Sequence, residues 1–336
     1  MPTAIDESAG LAHAVDDMFC AFLASSPLVA AGSQVESAPD LTSVPTPSRT
    51  RWKRLGDLTF ASSSPSWSWP MAALIRSRLW VALHVMLLGL VAPAVLGFDL
   101  DLRALAVLFG STLAIYSVDD LFEARAAGRV GGLRGVAAAI GTGITGYALV
   151  ESPSATIALV AVGGLACFGY GAPLPGIGRP KDIPGIKAAW VAGAVTVAAV
   201  FVPWTFHPAA DVPPGDAWGL FAVLGVITFA NVVGFDVRDL AVDRERGVPT
   251  LPSLLGVRRV RKLLFALHGL VLIALVALRG AGLAYPVPFF AVALFASALV
   301  VRGLVTEASV RKRLIHDVLG DGFLGLLGVT AWWLAR

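Results

Sequence analysis

Charge is scarce in this chain. Asp, Glu, Lys and Arg make up only 15% of its 336 residues, whereas 56% are hydrophobic and the mean hydropathy is +0.75. That balance excludes an ordinary water-soluble globule and points to a polytopic membrane protein. Cysteine is nearly absent too. Cys20 and Cys167 show no CxxC spacing and no partner pattern, which excludes a disulfide framework and a zinc site. The net charge of +3 is too small to imply nucleic acid as a partner. A charged start followed by an apolar core and a cleavage site is also missing, so no secretory leader is expected.

Two regions differ in kind. Residues 1–70 are rich in Ser, Pro, Thr and Ala and end in the basic group Arg49, Arg51, Lys53 and Arg54. They are expected to form a disordered cytoplasmic extension whose basic end touches anionic headgroups of membrane lipids. Residues 71–336 carry nine apolar runs near bilayer length, at 79–97, 103–118, 135–150, 154–173, 187–204, 217–235, 262–279, 282–302 and 318–335. The expected fold is therefore all-α, a polytopic bundle of nine transmembrane helices. Small residues recur in these runs, as in Gly141-Thr-Gly-Ile-Thr-Gly146 and Ala192-Gly-Ala194, and such residues let helices approach closely in lipid. Arg and Lys crowd segments 125–134, 179–187, 238–262 and 302–313, while the opposite side has Arg103, Arg279 and Arg336. This asymmetry places the crowded side and the N-terminus in the cytoplasm. A bacterial inner membrane is the expected location.

The acids are concentrated. Asp236, Asp239 and Asp243 follow directly on the apolar run that ends at Phe235, and steps of i, i+3 and i+7 put them on one helical face. Three like charges at a membrane helix end are costly unless a cation neutralises them. Oxygen-only ligands favour a hard divalent ion, Mg²⁺ before Zn²⁺. A second cluster, Asp119, Asp120 and Glu123, ends an earlier span. Acids at a helix end are commonly just solvated; two such clusters on one membrane side instead suit two metal ions bridging a diphosphate. The stretch 118–128 also echoes 237–247, with Val, Asp, Leu, Arg and Gly matching at constant offset. That pattern fits an ancient duplication with the site between the repeats. Between the clusters lies a Pro/Gly-rich loop with Arg179, Lys181 and Lys187, suited to phosphate or, more plainly, to setting topology.

These three pieces, in this order, resemble the UbiA superfamily of intramembrane prenyltransferases. The resemblance covers about residues 71–336 and rests on Asp236-x-x-Asp239-x-x-x-Asp243, the following Gly247-Val-Pro-Thr-Leu-Pro252, and the Lys181-Asp-Ile-Pro-Gly-Ile-Lys187 loop. The first motif departs from the family's Asn-Asp-x-x-Asp-x-x-x-Asp: Asp119 stands at the Asn, Glu123 at the second Asp and Ala127 at the last acid. The resemblance implies a Mg²⁺-dependent transfer from a prenyl diphosphate to a lipophilic or aromatic acceptor. Asp119, Glu123, Asp236 and Asp239 would hold the metal, and Asp120 and Asp243 would support them or activate the acceptor. Lys181, Lys187 and Arg125 would bind the diphosphate, with Asn231 lining the cavity.

Other residues have open readings. Phe122, Tyr170 and Phe229 suit packing or cation stabilisation. Asp321 is either an intramembrane functional acid or part of a wet helix end. Arg76 and Arg78 are interfacial anchors or diphosphate ligands, and His84 and His268 serve packing or interhelical hydrogen bonds. Two alternatives remain: a UbiA-type membrane terpene cyclase, kept open by the altered first motif, and an ion-coupled transporter, against which the acids stand at one rim.

Overall fold

The apolar runs fold as helices wherever the chain is described. The computed structural model describes residues 78–126, 132–171, 179–183, 185–207, 214–280, 287–305 and 313–336, which lie within one unit, residues 64–336. The extension expected over 1–70, and Arg76, fall outside the described residues. Among those residues there are no strands. In chain order the helices are α1 (Leu79–Leu88), α2 (Val91–Leu96), α3 (Leu102–Ala126), α4 (Gly132–Leu149), α5 (Ser154–Gly171) and α6 (Ile186–Thr205). After them come α7 (Pro214–Arg246), α8 (Leu251–Leu255), α9 (Val257–Gly280), α10 (Val287–Leu304) and α11 (Arg313–Leu334). A short 3₁₀ turn, Pro180–Asp182, precedes α6.

Six stretches are long and apolar enough to cross a membrane: Leu79–Leu96, Leu102–Phe122, Ser154–Gly171, Ile186–Thr205, Gly215–Glu245 and Val257–Ala277. The protein is an integral membrane protein on this evidence. Pro288–Leu304 and Val318–Leu334 are apolar but shorter. The third expected run is helical as α4, yet Arg134 and its many Gly and Thr residues keep it less apolar than the other long helices. The expected count of nine is thus established for six. The first run is one span broken in the middle. Pro93 has no N–H to offer the Gly89 carbonyl, and the chain there shifts to a tighter turn in which Leu90 N–H donates to Leu87 O at 3.0 Å.

α7 is the central element. Leu220, Leu224 and Ile227, at i, i+4 and i+7, are fully buried with Leu88, Val91, Val200 and Phe290 of α1, α2, α6 and α10. Further along, Val233, Val237 and Leu240 repeat that spacing against Val260 and Leu264 of α9 and Val301 of α10. At 33 residues, α7 extends roughly 50 Å, well beyond a hydrocarbon core of about 30 Å. The helix is thus longer than such a core, and its last turns carry the second acidic motif. Outer faces are apolar as well: Val162 and Leu165 of α5 and Leu270 and Ile273 of α9 are exposed, as suits contact with lipid.

Backbone approach decides two of the crossings. A Cβ at Gly141 of α4 would lie 2.7 Å from Gly110 O of α3, and one at Gly110 would lie 2.8 Å from Gly141 O. At Gly328 of α11 a Cβ would collide with the Leu87 carbonyl of α1. Gly143 and Gly146, in the same small-residue run, face open space. Only part of that run serves packing.

Candidate active site

Every acid of the two motifs whose side chain is described is held by a basic side chain of the protein. On α3, Asp119 Oδ1 accepts from Lys181 Nζ at 2.9 Å. Its neighbour Asp120 takes a two-pronged bond from Arg78, with Nε to Oδ2 at 2.8 Å and Nη2 to Oδ1 at 2.7 Å. Arg134 of α4 adds an ion pair to Asp120 at 3.8 Å. On α7, Lys187 Nζ reaches Asp236 Oδ1 at 2.9 Å and Asp243 Oδ2 at 3.4 Å. Asp239 accepts from Arg238 Nε at 3.0 Å.

The local sequence explains this arrangement. The buried stripe Val233, Val237 and Leu240 fixes the rotation of α7 on α9 and α10, and Asp236, Asp239 and Asp243 occupy the neighbouring face. That face meets the start of α6, where Lys187 stands. Gly185, at φ 76, occupies the left-handed conformation that glycine accepts without strain. Its N–H donates to Pro249 O at 3.4 Å, tying the lysine loop to the segment after α7. Lys181 in the 3₁₀ turn and Lys187 in the first turn of α6 thus stand six residues apart and touch one acidic segment each. The two acidic segments consequently lie at the same end of the bundle.

Sequence reasoning left Arg78 between two roles, and the structure gives it a definite position. It caps α1 with φ 64, an unusual backbone for a non-glycine residue, and its side chain points to α3. Burial by itself would drain charge from this guanidinium. Its hydrogen bonds to Asp120, with the charges of Asp120 and of Asp321 on α11, more than restore that charge. Asp321 therefore belongs to the neighbourhood of the site. The pairing of Arg78 with Asp120, 42 residues apart, leaves no signal in a hydropathy plot.

Glu123 and Arg125 lie on the last turn of α3, and their side chains are outside the described residues. Asn231 sits five residues before Asp236 on α7 and lines a pocket between α7, α10 and α11. Phe122 is exposed and edge-on to Phe168, with ring centres 5.7 Å apart. Tyr170 stacks on Trp190 at 5.6 Å, and Phe229 packs against the core that holds the end of α7. His84 bonds the Trp80 carbonyl at 2.8 Å, and His268 bonds Ser297 of α10 at 2.8 Å.

Among the described residues, no three acidic, His or Cys side chains converge on one metal position. The donor set is nevertheless one that a hard cation takes. It is made of carboxylate oxygens, and one of them, Asp236 Oδ2, is buried without a hydrogen-bond partner. A buried anionic oxygen left so is costly, and a cation would relieve it.

Fold and contacts together define an all-helical membrane bundle with two acidic segments at one end, each clamped by basic side chains. The UbiA prenyltransferase family model matches residues 123–315, more than half of the chain. The chain belongs to the UbiA prenyltransferase family. Its fold is similar to that of a UbiA homologue from Archaeoglobus fulgidus bound to GPP and Mg²⁺, with a TM-score of 0.55 and 12% identity over 77% of this chain and 98% of that one. It is also similar to the apo UbiA homologue from Aeropyrum pernix K1, with a TM-score of 0.52 and 14% identity over 75% and 97% of the two chains. No curated protein matches the sequence.

Proposed function

We propose that the protein is a Mg²⁺-dependent intramembrane prenyltransferase that moves an isoprenyl group from a prenyl diphosphate to a lipophilic or aromatic acceptor. The observation that carries this reading is the lysine loop, with Lys181 on Asp119 and Lys187 on Asp236 and Asp243. Anion-binding cations and cation-binding carboxylates are interleaved at one end of the bundle, so each set neutralises the other until a metal and a diphosphate take their places. The GPP and Mg²⁺ of the A. fulgidus homologue support both the donor class and the ion.

Asp119, Glu123, Asp236 and Asp239 are the residues to hold Mg²⁺, which when bound offsets the charge of the diphosphate and improves it as a leaving group. Lys181 and Lys187, with Arg125, bind diphosphate oxygens by charge-assisted hydrogen bonds. Asp120, gripped by Arg78, orients the end of α3. Asp243, beside Lys187, supports the metal ligands or activates the acceptor. The bond between the allylic carbon and the diphosphate oxygen breaks with its electron pair leaving on oxygen. The apolar walls of the bundle keep water from the allylic cation until an electron pair of the acceptor closes the new bond. The excess of basic residues on the motif side supports a cytoplasmic acidic end.

Release of diphosphate by the purified protein, with Mg²⁺ and a panel of prenyl diphosphates, tests this. Asp236→Ala and Asp239→Ala should each abolish release while remaining inserted, and near-normal release in either variant contradicts the site. The first motif, with Glu123 and Ala127 in place of the family's acids, favours one second reading, a terpene cyclase. Incubation without acceptor separates the two, because a cyclase releases a cyclised hydrocarbon or alcohol.

A further inference from the structure

We infer that the outward face of α9 binds an anionic phospholipid, with Arg259 and Lys262 on its phosphate and Leu263, Leu270 and Ile273 along an acyl chain. The inference needs only the membrane bundle, so it stands apart from the prenyltransferase reading. α9 opens on Val257-Arg-Arg-Val-Arg-Lys262. Val257, Val260 and Leu264 are buried against the end of α7. That packing turns Arg258, Arg259 and Lys262 outward, and all three are exposed. Among the described residues, neither Arg259 nor Lys262 forms an ion pair. Three steps apart on a helix, the two are neighbours that repel each other, and an anion between them removes that cost.

The same face continues as an apolar stripe. Leu263, Ala266, Leu270 and Ile273 follow Arg259 at alternating steps of four and three, which keeps them in one line along the helix. All four are exposed. Only 22% of the stretch Val257–Ala277 is buried within the bundle, against 61% for Gly215–Glu245 of α7, so this face is left to lipid. From Arg259 to Leu270, eleven residues at 1.5 Å each cover about 16 Å, close to half of a hydrocarbon core of about 30 Å. A ligand charged at one end and apolar over that length is a phospholipid. A soluble phosphate would use the basic end alone. Leu254 and Leu255 of α8, just before these cations, are exposed as well. Leucines beside cations suit an interfacial position, with the apolar groups among acyl chains and the charges at headgroup level.

Charge selects the headgroup. A choline or ethanolamine head brings its own cation, which Arg258, Arg259 and Lys262 repel, whereas a lipid with net negative charge gains from each of them. The site also adjoins the acidic end of the bundle. In the connection from α7 to α9, Val248 N–H donates to Asp243 O at 2.8 Å and Pro249 O accepts from Gly185 N–H at 3.4 Å. Leu251 of α8 comes within 3.6 Å of where a Cβ at Gly185 would stand. A lipid seated on α9 therefore holds the far end of a short segment that touches both the second acidic motif and the start of α6. It acts as a structural ligand and not as a substrate.

The test uses the full-length protein in neutral detergent, titrated with dioleoylphosphatidylglycerol or dioleoylphosphatidylcholine and read by native mass spectrometry. Wild-type protein should hold phosphatidylglycerol roughly tenfold more tightly than phosphatidylcholine. The double variant Arg259→Gln, Lys262→Gln should lose that preference, and the charge-keeping pair Arg259→Lys, Lys262→Arg should retain it. Arg302→Gln removes an exposed cation from the end of α10 and should leave the preference unchanged. Glycerophosphoglycerol, the headgroup without its chains, should not displace the lipid. All these side chains are exposed, and thermal unfolding checks that each variant is folded. No preference in wild type, a preference kept in the double Gln variant, or an equal loss in Arg302→Gln overturns the inference, the last because net charge alone then explains it. Displacement by glycerophosphoglycerol or by inorganic diphosphate also overturns it and makes the patch a soluble-anion site. Lipid preference without diphosphate release for any donor leaves this site and removes the prenyltransferase reading.

Discussion

Lys187 Nζ lies 2.9 Å from Asp236 Oδ1, while the other oxygen of that carboxylate is buried with no partner. A single ammonium group thus keeps a 2%-exposed acid tolerable and leaves half of it unsatisfied. Removing the lysine should therefore matter for stability as well as for substrate. Lys187→Met is expected to destabilise the protein by about 1–3 kcal/mol, with Mg²⁺ recovering part of the loss. Thermal unfolding in detergent, with and without Mg²⁺, checks this; an unchanged midpoint would count against it.

Arg78 grips Asp120 through two parallel bonds, a geometry that lysine cannot reproduce. Arg78→Lys keeps the charge and loses the fork. We expect roughly tenfold lower turnover at saturating donor, the equivalent of about 1.4 kcal/mol. Steady-state kinetics of diphosphate release decide the matter, and wild-type turnover would make Arg78 a mere interfacial anchor.

Asp119→Asn installs the residue that the family usually carries. The asparagine carbonyl still accepts from Lys181, so activity is expected to stay within about threefold of wild type, under 1 kcal/mol in barrier. A hundredfold loss would mean that this chain uses the extra carboxylate in its own way, which would favour the cyclase reading.

Helix contacts give a matched pair. Gly328→Ala drives a methyl into the Leu87 carbonyl, whereas Gly143→Ala meets open space. The first should lose about 1–3 kcal/mol of stability and the second should be neutral or slightly stabilised. Unfolding midpoints of the two variants compare them directly.

The sequence made the apolar helices readable because each span is a local property of about twenty residues. The acidic face of α7 was readable too, since i, i+3 and i+7 are set by helix geometry alone. The partner of each acid was not. Arg78 meets Asp120 across 42 residues and Lys181 meets Asp119 across 62, distances that only the packed bundle closes. The His268–Ser297 bond was hidden for the same reason: an isolated histidine in an apolar run shows no partner until α9 and α10 are placed side by side. The weak apolarity of α4 reflects what lets it pack, since Gly141 brings it against the backbone of α3 at the expense of hydropathy.

We propose that Lys181 and Lys187, six residues apart on the 3₁₀ turn and the start of α6, join both acidic segments into one diphosphate site. An experimental structure of the protein with Mg²⁺ and a non-hydrolysable prenyl thiodiphosphate tests it most directly. Both lysines should turn from Asp119 and Asp236 onto the diphosphate oxygens, with carboxylates of α3 and α7 on the metal. A diphosphate bound elsewhere, or lysines still seated on their carboxylates beside it, would rule this site out.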